Sequence, residues 1–338
     1  MSRIIFGFLV GTCATNENAI ICEVCVRARS DMSILVYDVG GSHVSAAVCR
    51  GRNHDLGRIV SAELPAEQRS EAFINLIYEL GIEASDGIRD VCGAELAMPG
   101  PFDFTAGISR MRHKLPYLYG VELRKPLTRR FGWEEGQVGF LHDSAAFLLG
   151  EVRAGAARGV ARAVGITLGT GVGSAFAADG HLLTEGCGVP AEGEIWNLPF
   201  QGGIVEDFIS TRAIQQNYER RAGVLRDVRR IAAGAETDPT AVVVFAEFGR
   251  QLGLALRMAL AEFLPDTVVL GGGIARSPQL FLAAATNQVQ DLGFELKVSE
   301  LGDRSALVGA AVAWFNGCTG ADGQSVHPVS GARRADAI

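Results

Sequence analysis

Three short glycine runs and two aspartates are the residues best suited to chemistry. Asp38-Val-Gly40-Gly41-Ser42, Gly169-Thr170-Gly171-Val172-Gly173 and Gly271-Gly272-Gly273 each follow a β-prone stretch. A turn without side chains leaves backbone N–H groups facing open space, which is what a phosphate needs. Any one run could equally be a plain hairpin. Three at strand ends, one of them preceded by Asp38, point to a phosphate chain. Asp38 is suited to hold a hydrated Mg²⁺ beside the phosphates, and Ser42 adds a hydroxyl. Gly169 to Gly173 suits the other side of the phosphate chain. Gly271 to Gly273 lets backbone approach a flat base or ribose. None of the runs is a Walker loop, since no G-K-[ST] is present. None is a Gly-x-Gly-x-x-Gly leading into a helix either.

Asp143 stands where a strand gives way to a helix. Aspartate is a good N-cap, and capping can be its whole role. Beside a phosphate chain the same carboxylate is suited to take the proton from an alcohol that accepts a phosphoryl group. The two roles are compatible. Glu192, Glu194 and Glu206 sit among Gly and aromatic residues rather than on a charged helix face. Carboxylates so placed suit sugar hydroxyls, because each accepts several hydrogen bonds, although an isolated Glu is usually just surface. Seven cysteines are scattered along the chain. Cys22 and Cys25 make the one C-x-x-C, without a second pair or nearby His to complete a zinc site. The odd count in a long chain speaks for reduced thiols in the cytoplasm, not a disulfide framework.

These residues need elements to position them. Strands are expected over 34–38, 45–49 and 59–63 as an antiparallel meander, then over 95–98, 137–141, 163–168, 174–178 and 267–270. Helices are expected over 71–80, 121–131, 144–158, 242–264 and 305–315. In the long one, Phe245, Phe248, Leu252, Leu256 and Leu260 share a face, and Pro265 ends it. Pro99-Gly100-Pro101 makes a rigid loop. Residues 34–49 and 163–178 both read as strand, glycine turn, strand, which suggests a duplicated unit. The final helix carries Gly309, Ala310 and Ala311, so it can pack closely.

The 338 residues suggest two domains. With 48% hydrophobic and 20% charged residues, the chain has material for a real core and is not generally disordered. Lys+Arg number 31 against 38 Asp+Glu, a net charge of −7. That balance argues against non-specific nucleic-acid binding and against a groove for polyphosphate. No apolar run approaches the ~18 residues of a membrane span. Arg3 before Ile4 to Val10 is a faint echo of a signal peptide, but the stretch is short and no A-x-A site follows. Residues 1–31 are expected to lie outside the fold. Residues 318–338, polar and rich in Gly, Ser and Arg, read as a disordered tail.

Five motifs stand in order: Asp38-Val-Gly-Gly-Ser42, His142-Asp143-Ser-Ala-Ala146, Leu168-Gly-Thr-Gly-Val-Gly173, Gly193-Glu194-Ile-Trp-Asn197 and Leu270-Gly-Gly-Gly-Ile274. Over Ile34 to Phe315 the chain resembles the ROK family of bacterial sugar kinases and repressors, within the actin/hexokinase/Hsp70-like ATPase superfamily. The resemblance implies an α/β chain with a two-domain ribonuclease H-like fold and an interdomain cleft. The small domain would be 32–142 plus 303–317 and the large domain 143–302. ATP with Mg²⁺ would lie against Asp38, Gly40, Gly41, Ser42, Gly169, Thr170, Gly171, Gly173, Gly271, Gly272 and Gly273. A hexose would touch Pro99, Gly100, His142, Glu194, Asn197 and Glu206, with Asp143 as catalytic base. The resemblance also implies a homodimer.

The departures cluster around the sugar. His142 stands where the family usually has Asn, and Ser42-His43 where Thr-Lys is common. Trp196-Asn197 replaces the frequent Gly-His, and no cysteine cluster follows, so no structural zinc is expected. Trp196 could stack on a sugar face or serve as a core or lid residue. The leading expectation is an ATP-dependent hexose kinase of the glucokinase type. The alternative is a sugar-binding sensor or regulator of the same family with weak or lost catalysis. A DNA-binding repressor would need an added helix-turn-helix, and residues 1–31 are too short and lack a basic helix.

Overall fold

The computed structural model describes residues 32–65, 69–88 and 90–317. The expectations for 1–31, with Cys22 and Cys25, and for 318–338 lie outside these described residues. The first half begins with β1 (Ser33–Val39) and β2 (His43–Arg50), joined as an antiparallel hairpin. The short strands β3 (Asp55–Leu56) and β4 (Val60–Glu63) both pair with β2. Helix α1 (Ser70–Ala84) leads to β5 (Val91–Met98), parallel to β1. A small hairpin of β6 (Phe102–Asp103) and β7 (Ile108–Ser109) and helix α2 (Arg124–Phe131) precede β8 (Val138–His142), parallel to β5. The sheet order is β3-β2-β1-β5-β8.

The second half repeats the plan. After α3 (Asp143–Ala154), strands β9 (Arg162–Leu168), β10 (Val172–Ala178) and β11 (His181–Leu183) form an antiparallel run. A small hairpin, β12 (Pro199–Phe200) and β13 (Gly203–Ile204), is followed by α4 (Glu206–Ile209), α5 (Thr211–Ala222), α6 (Val228–Ala233) and α7 (Pro239–Leu260). Then come β14 (Thr267–Gly271), α8 (Leu282–Val289), β15 (Glu295–Val298) and α9 (Ser305–Gly317). This sheet runs β11-β10-β9-β14-β15. Strand for strand it is the order of the first sheet, so the repeat legible in two hairpins extends to a whole sheet.

The core explains the composition of the strands. β1 is central, with apolar residues on both faces, because helices cover both. Phe73, Ile77 and Leu80 of α1 pack on one face with Leu35, Tyr37 and Val39. Leu307, Ala310, Ala311 and Phe315 of α9 pack on the other with Ile34, Val36 and Ala47. The second sheet is covered by α7 and α8 on one face, and by α3 on the other through Phe147 and Leu148. Helices α3 and α9 therefore lie against each other between the two sheets. Glycine allows this contact. A Cβ on Gly309 would overlap the Ala146 carbonyl, and one on Gly150 would overlap the Ser305 carbonyl.

Several helix ends differ from the periodicity. The Ala-rich helix stops at Ala154, not 158, because the buried Glu151 carboxylate accepts the Ala156 N–H at 2.8 Å and turns the chain back. Glu151 also accepts from Ser299 and Ser305 hydroxyls at 2.5 and 2.6 Å, tying α3 to the start of α9. The long helix begins three residues early, at Pro239 behind the Asp238 cap, and ends at Leu260 rather than 264. Leu264 has φ 52°, outside any right-handed helix.

Candidate active site

Five parallel strands end at the motifs. β1 runs into Gly40, β5 into Pro99-Gly100, β8 into Asp143, β9 into Gly169 and β14 into Gly272. Ligands of α/β sheets bind outside the carboxyl ends of parallel strands, and here those ends carry every motif but Gly193–Asn197.

The first glycine turn is open. Gly40 N–H donates to the His43 carbonyl at 2.9 Å and closes the turn. A Cβ on Gly41 would meet nothing within 4 Å, and Gly41 and Ser42 are exposed. Asp38, at the end of β1, is half-buried, and its pKa is pushed up to about 7. Burial is the larger cause; the negative charges of Asp143 and Asp303 add to it.

The second turn is braced. Thr211 N–H, at the start of α5, donates to the Gly169 carbonyl at 2.8 Å. Glu206 Oε2 accepts the Val172 N–H at 3.0 Å and stands where a Gly171 side chain would go. Glu206 thus has its carboxylate on the turn. Gly169 faces open space and Thr170 is exposed, whereas Gly173 is pressed against Thr167 and Ser144. The third run packs under the second: a Cβ on Gly272, where φ is 83°, would overlap the backbone of Leu168, and one on Gly271 would overlap the Phe147 ring. Gly273 is open.

Around Asp143 the side chains converge. His142 caps α3 and Asp143 is its first residue, where the helix N-terminus favours a carboxylate. Ser144 N–H donates to Asp143 Oδ1 at 2.7 Å, and the Ser144 hydroxyl donates to the Ser174 carbonyl at 2.9 Å. His142 Nδ1 accepts the Ser144 N–H at 3.3 Å, which makes it the cap, and lies 2.5 Å from Ser144 Oγ and 3.1 Å from Asp143 Oδ1. His142 Nε2 points the other way, 3.7 Å from Glu194 Oε1. Gly100 makes room for it, since a Cβ there would sit 2.8 Å from Nε2. The side chains of His142, Asp143 and Glu194 are 23%, 30% and 29% exposed, so solvent-borne groups can reach all three.

Gly100, His142, Asp143 and Glu194 are therefore brought together, and Asp38 lies within electrostatic range of Asp143. Pro99 is buried, so the loop offers Gly100 rather than proline to this space. Asn197 is exposed and makes no hydrogen bond to these groups among the described residues. Trp196 is half-buried against the core, and its indole N–H donates to Glu194 Oε2. It orients that carboxylate. Sequence reasoning missed Asp303, which follows β15 and pairs with Arg276 at 2.5 Å. It also missed the Ser144–Ser174 link. Only the adjacency of Ser144 to Asp143 hinted at it. Among the described residues, no cluster of three or more His, Cys, Asp or Glu is arranged to hold a metal.

The sequence model of the ROK family matches residues 34–316. The chain belongs to the ROK family. Its fold is the actin/hexokinase-like ATPase fold of ROK proteins. A glucokinase of Thermotoga maritima is 27% identical over 312 residues, 83% of this chain and 96% of that protein. A ROK hexokinase from Thermus thermophilus has a similar structure, with a TM-score of 0.69 and 26% identity over 83% of this chain and 97% of the other. A ROK family glucokinase from Streptomyces griseus, solved with glucose and AMPPNP, has a TM-score of 0.69 at 21% identity, covering 83% and 98%. It shows the shared fold. Among the described residues no helix is long and apolar enough to cross a membrane.

Proposed function

We propose that this chain is an ATP-dependent sugar kinase that transfers the γ-phosphoryl group of Mg-ATP to a hydroxyl of a hexose, with Asp143 as general base. One observation carries the reading: Asp143 lies against one nitrogen of the His142 ring, whose other nitrogen faces Glu194, and it also acts electrostatically on Asp38. A base in that position can serve an acceptor hydroxyl and face a phosphate site at once. The Thermotoga maritima and Thermus thermophilus relatives, named glucokinase and hexokinase, support it.

The donor side fits Mg-ATP on its own chemistry. Asp143 and Asp303 each act on Asp38 with like charge, and a cation beside Asp38 would relieve that repulsion. Asp38 would hold the hydrated Mg²⁺, and the open backbone at Gly41, Gly169 and Thr170 would face phosphates, with Gly273 toward the nucleoside. When bound, Mg-ATP supplies the phosphoryl group and the metal spreads its charge.

On the acceptor side, 3.7 Å between His142 and Glu194 is too long for a direct hydrogen bond. A sugar hydroxyl reaching both would satisfy each. Asp143 accepts the proton of the attacking hydroxyl, and the Ser144 N–H holds its carboxylate in place. Residues 32–142 with 303–317 would close on 143–302 and exclude water, a competing acceptor.

The test is ADP release from Mg-ATP across glucose, mannose, fructose, allose, N-acetylglucosamine and N-acetylmannosamine. Sugar-dependent release supports the kinase. Nucleotide binding without release on any sugar would favour a sensor.

A further inference from the structure

At the ends of β2 and β10 opposite the glycine turns, a hollow of about 320 Å³ opens where four elements meet. The β2–β3 turn contributes His54, α3 contributes Leu149, Val152 and Arg153, the β10–β11 turn contributes Gly180, and α9 contributes Val312. Arg158, just beyond α3, completes the wall. Its volume is at the low end of the range for small-ligand sites, about 300–1,000 Å³. Both sheets contribute to it.

Its charge is unbalanced. Arg153 Nε donates to His54 Nδ1 at 3.2 Å, and its Nη2 donates to the Arg52 carbonyl at 3.4 Å. Both acceptors are neutral. Among the described residues, none of Arg52, Arg153 and Arg158 pairs with a carboxylate, although the chain carries a net −7. Because Nδ1 accepts, the proton of the neutral His54 ring sits on Nε2. That N–H and the Nε–H of Arg52 are buried donors without an acceptor. Orphan buried donors are rare in finished sites. His54 stays neutral, with its pKa lowered to about 4 by burial, then by Arg153 and Arg52; nearby Asp55 is the weakest influence.

We propose that this hollow binds a small phosphate dianion, either orthophosphate or the phosphoryl head of a phosphorylated metabolite. Guanidinium groups match phosphate oxygens in pairs, as a carboxylate-free arginine cluster requires. The His54 ring, accepting from Arg153 Nε through Nδ1, holds that guanidinium in place. The apolar side chains of Leu149, Val152 and Val312 lower the local dielectric and strengthen the pairing.

The test is calorimetric titration of orthophosphate, and separately of glucose 6-phosphate, into the full chain at low salt. Each titration is repeated with saturating AMPPNP, which occupies the glycine turns if they take nucleotide. Arg153 and Arg158 are exposed, so Arg153→Gln/Arg158→Gln should fold, and its melting temperature checks this. The double variant is expected to bind at least tenfold more weakly. Arg158→Lys, which keeps the charge but not the paired donors, should fall between wild type and the double variant, and the control Arg229→Gln/Arg230→Gln on α6 should keep all of the affinity. AMPPNP should not compete. Binding of orthophosphate identifies the free anion as ligand; binding of glucose 6-phosphate alone identifies a phosphorylated sugar. Equal binding by the double variant, displacement by AMPPNP, or no binding of either anion overturns the proposal.

Discussion

β1 and β2 meet through Gly40-Gly41-Ser42, and β9 and β10 through Gly169-Thr170-Gly171. Each hairpin lies inside a sheet of the same strand order. Asp38 is the penultimate residue of β1; Thr167 is the penultimate residue of β9. The first position thus holds a carboxylate pushed up to about 7, and the second a neutral hydroxyl packed on Gly173. Around Gly41 nothing approaches within 4 Å, while Gly171 and Gly173 are hemmed in by Glu206, Thr167 and Ser144. One repeat leaves its turn open and charged. The other fixes the shape of its turn with side chains from elsewhere. A duplicated scaffold can thus supply charge from one half and rigid backbone from the other.

Removing the charge should have the largest effect. Asp38→Asn is expected to lower kcat/KM for Mg-ATP by about 10²–10³-fold, the usual cost of losing one charged partner of a transferring group. Steady-state assays across Mg²⁺ concentration read this. A fall of less than threefold would erase the contrast between the turns.

Space is tested next. Gly173→Ala should cost about 1–3 kcal/mol of stability in urea unfolding, because its Cβ overlaps Thr167 and crowds Ser144. Gly41→Ala should stay within about 0.5 kcal/mol. Equal losses would show that the two turns are equally packed. Glu206→Ala removes the acceptor for the Val172 N–H, and about 1 kcal/mol should go with it, together with a several-fold rise in KM for ATP.

The smallest effect is a pH dependence. The folded-state pKa of Asp38 lies above its unfolded value, so the fold favours the protonated form. Its contribution to stability is full below about pH 4 and is lost as pH rises through about 7. Unliganded Asp38→Asn should therefore melt progressively higher than wild type between pH 5 and pH 8. Glu95, raised to about 8 by burial, is common to both proteins and cancels in the difference. A constant difference across that range would mean that Asp38 is not strained by its neighbours.

Much of this was legible in the sequence. Both hairpins, the five motifs in order and Asp143 at a strand–helix junction follow from glycine placement and β-prone runs. What was hidden depended on distant partners. Helix α5 buries only Ile214 and Tyr218, so its apolar period is weak and no helix was expected there. Glu151 looks like an ordinary helix-surface residue, yet it is fully buried because Ser299 and Ser305, far along the chain, supply its donors. Asp303 acts on Asp38 only through the packing of α9 against β1. The carboxylate of Glu206, expected at a sugar, accepts the backbone N–H of Val172, a contact no local pattern encodes.

The most direct test of the account is a single-turnover measurement on Asp143→Asn, with sugar affinity measured beside it on the substrate found in the panel. Loss of the general base should slow phosphoryl transfer by about 10²–10⁴-fold while sugar binding changes less than tenfold. Transfer within tenfold of wild type would contradict the assignment of Asp143 as the base.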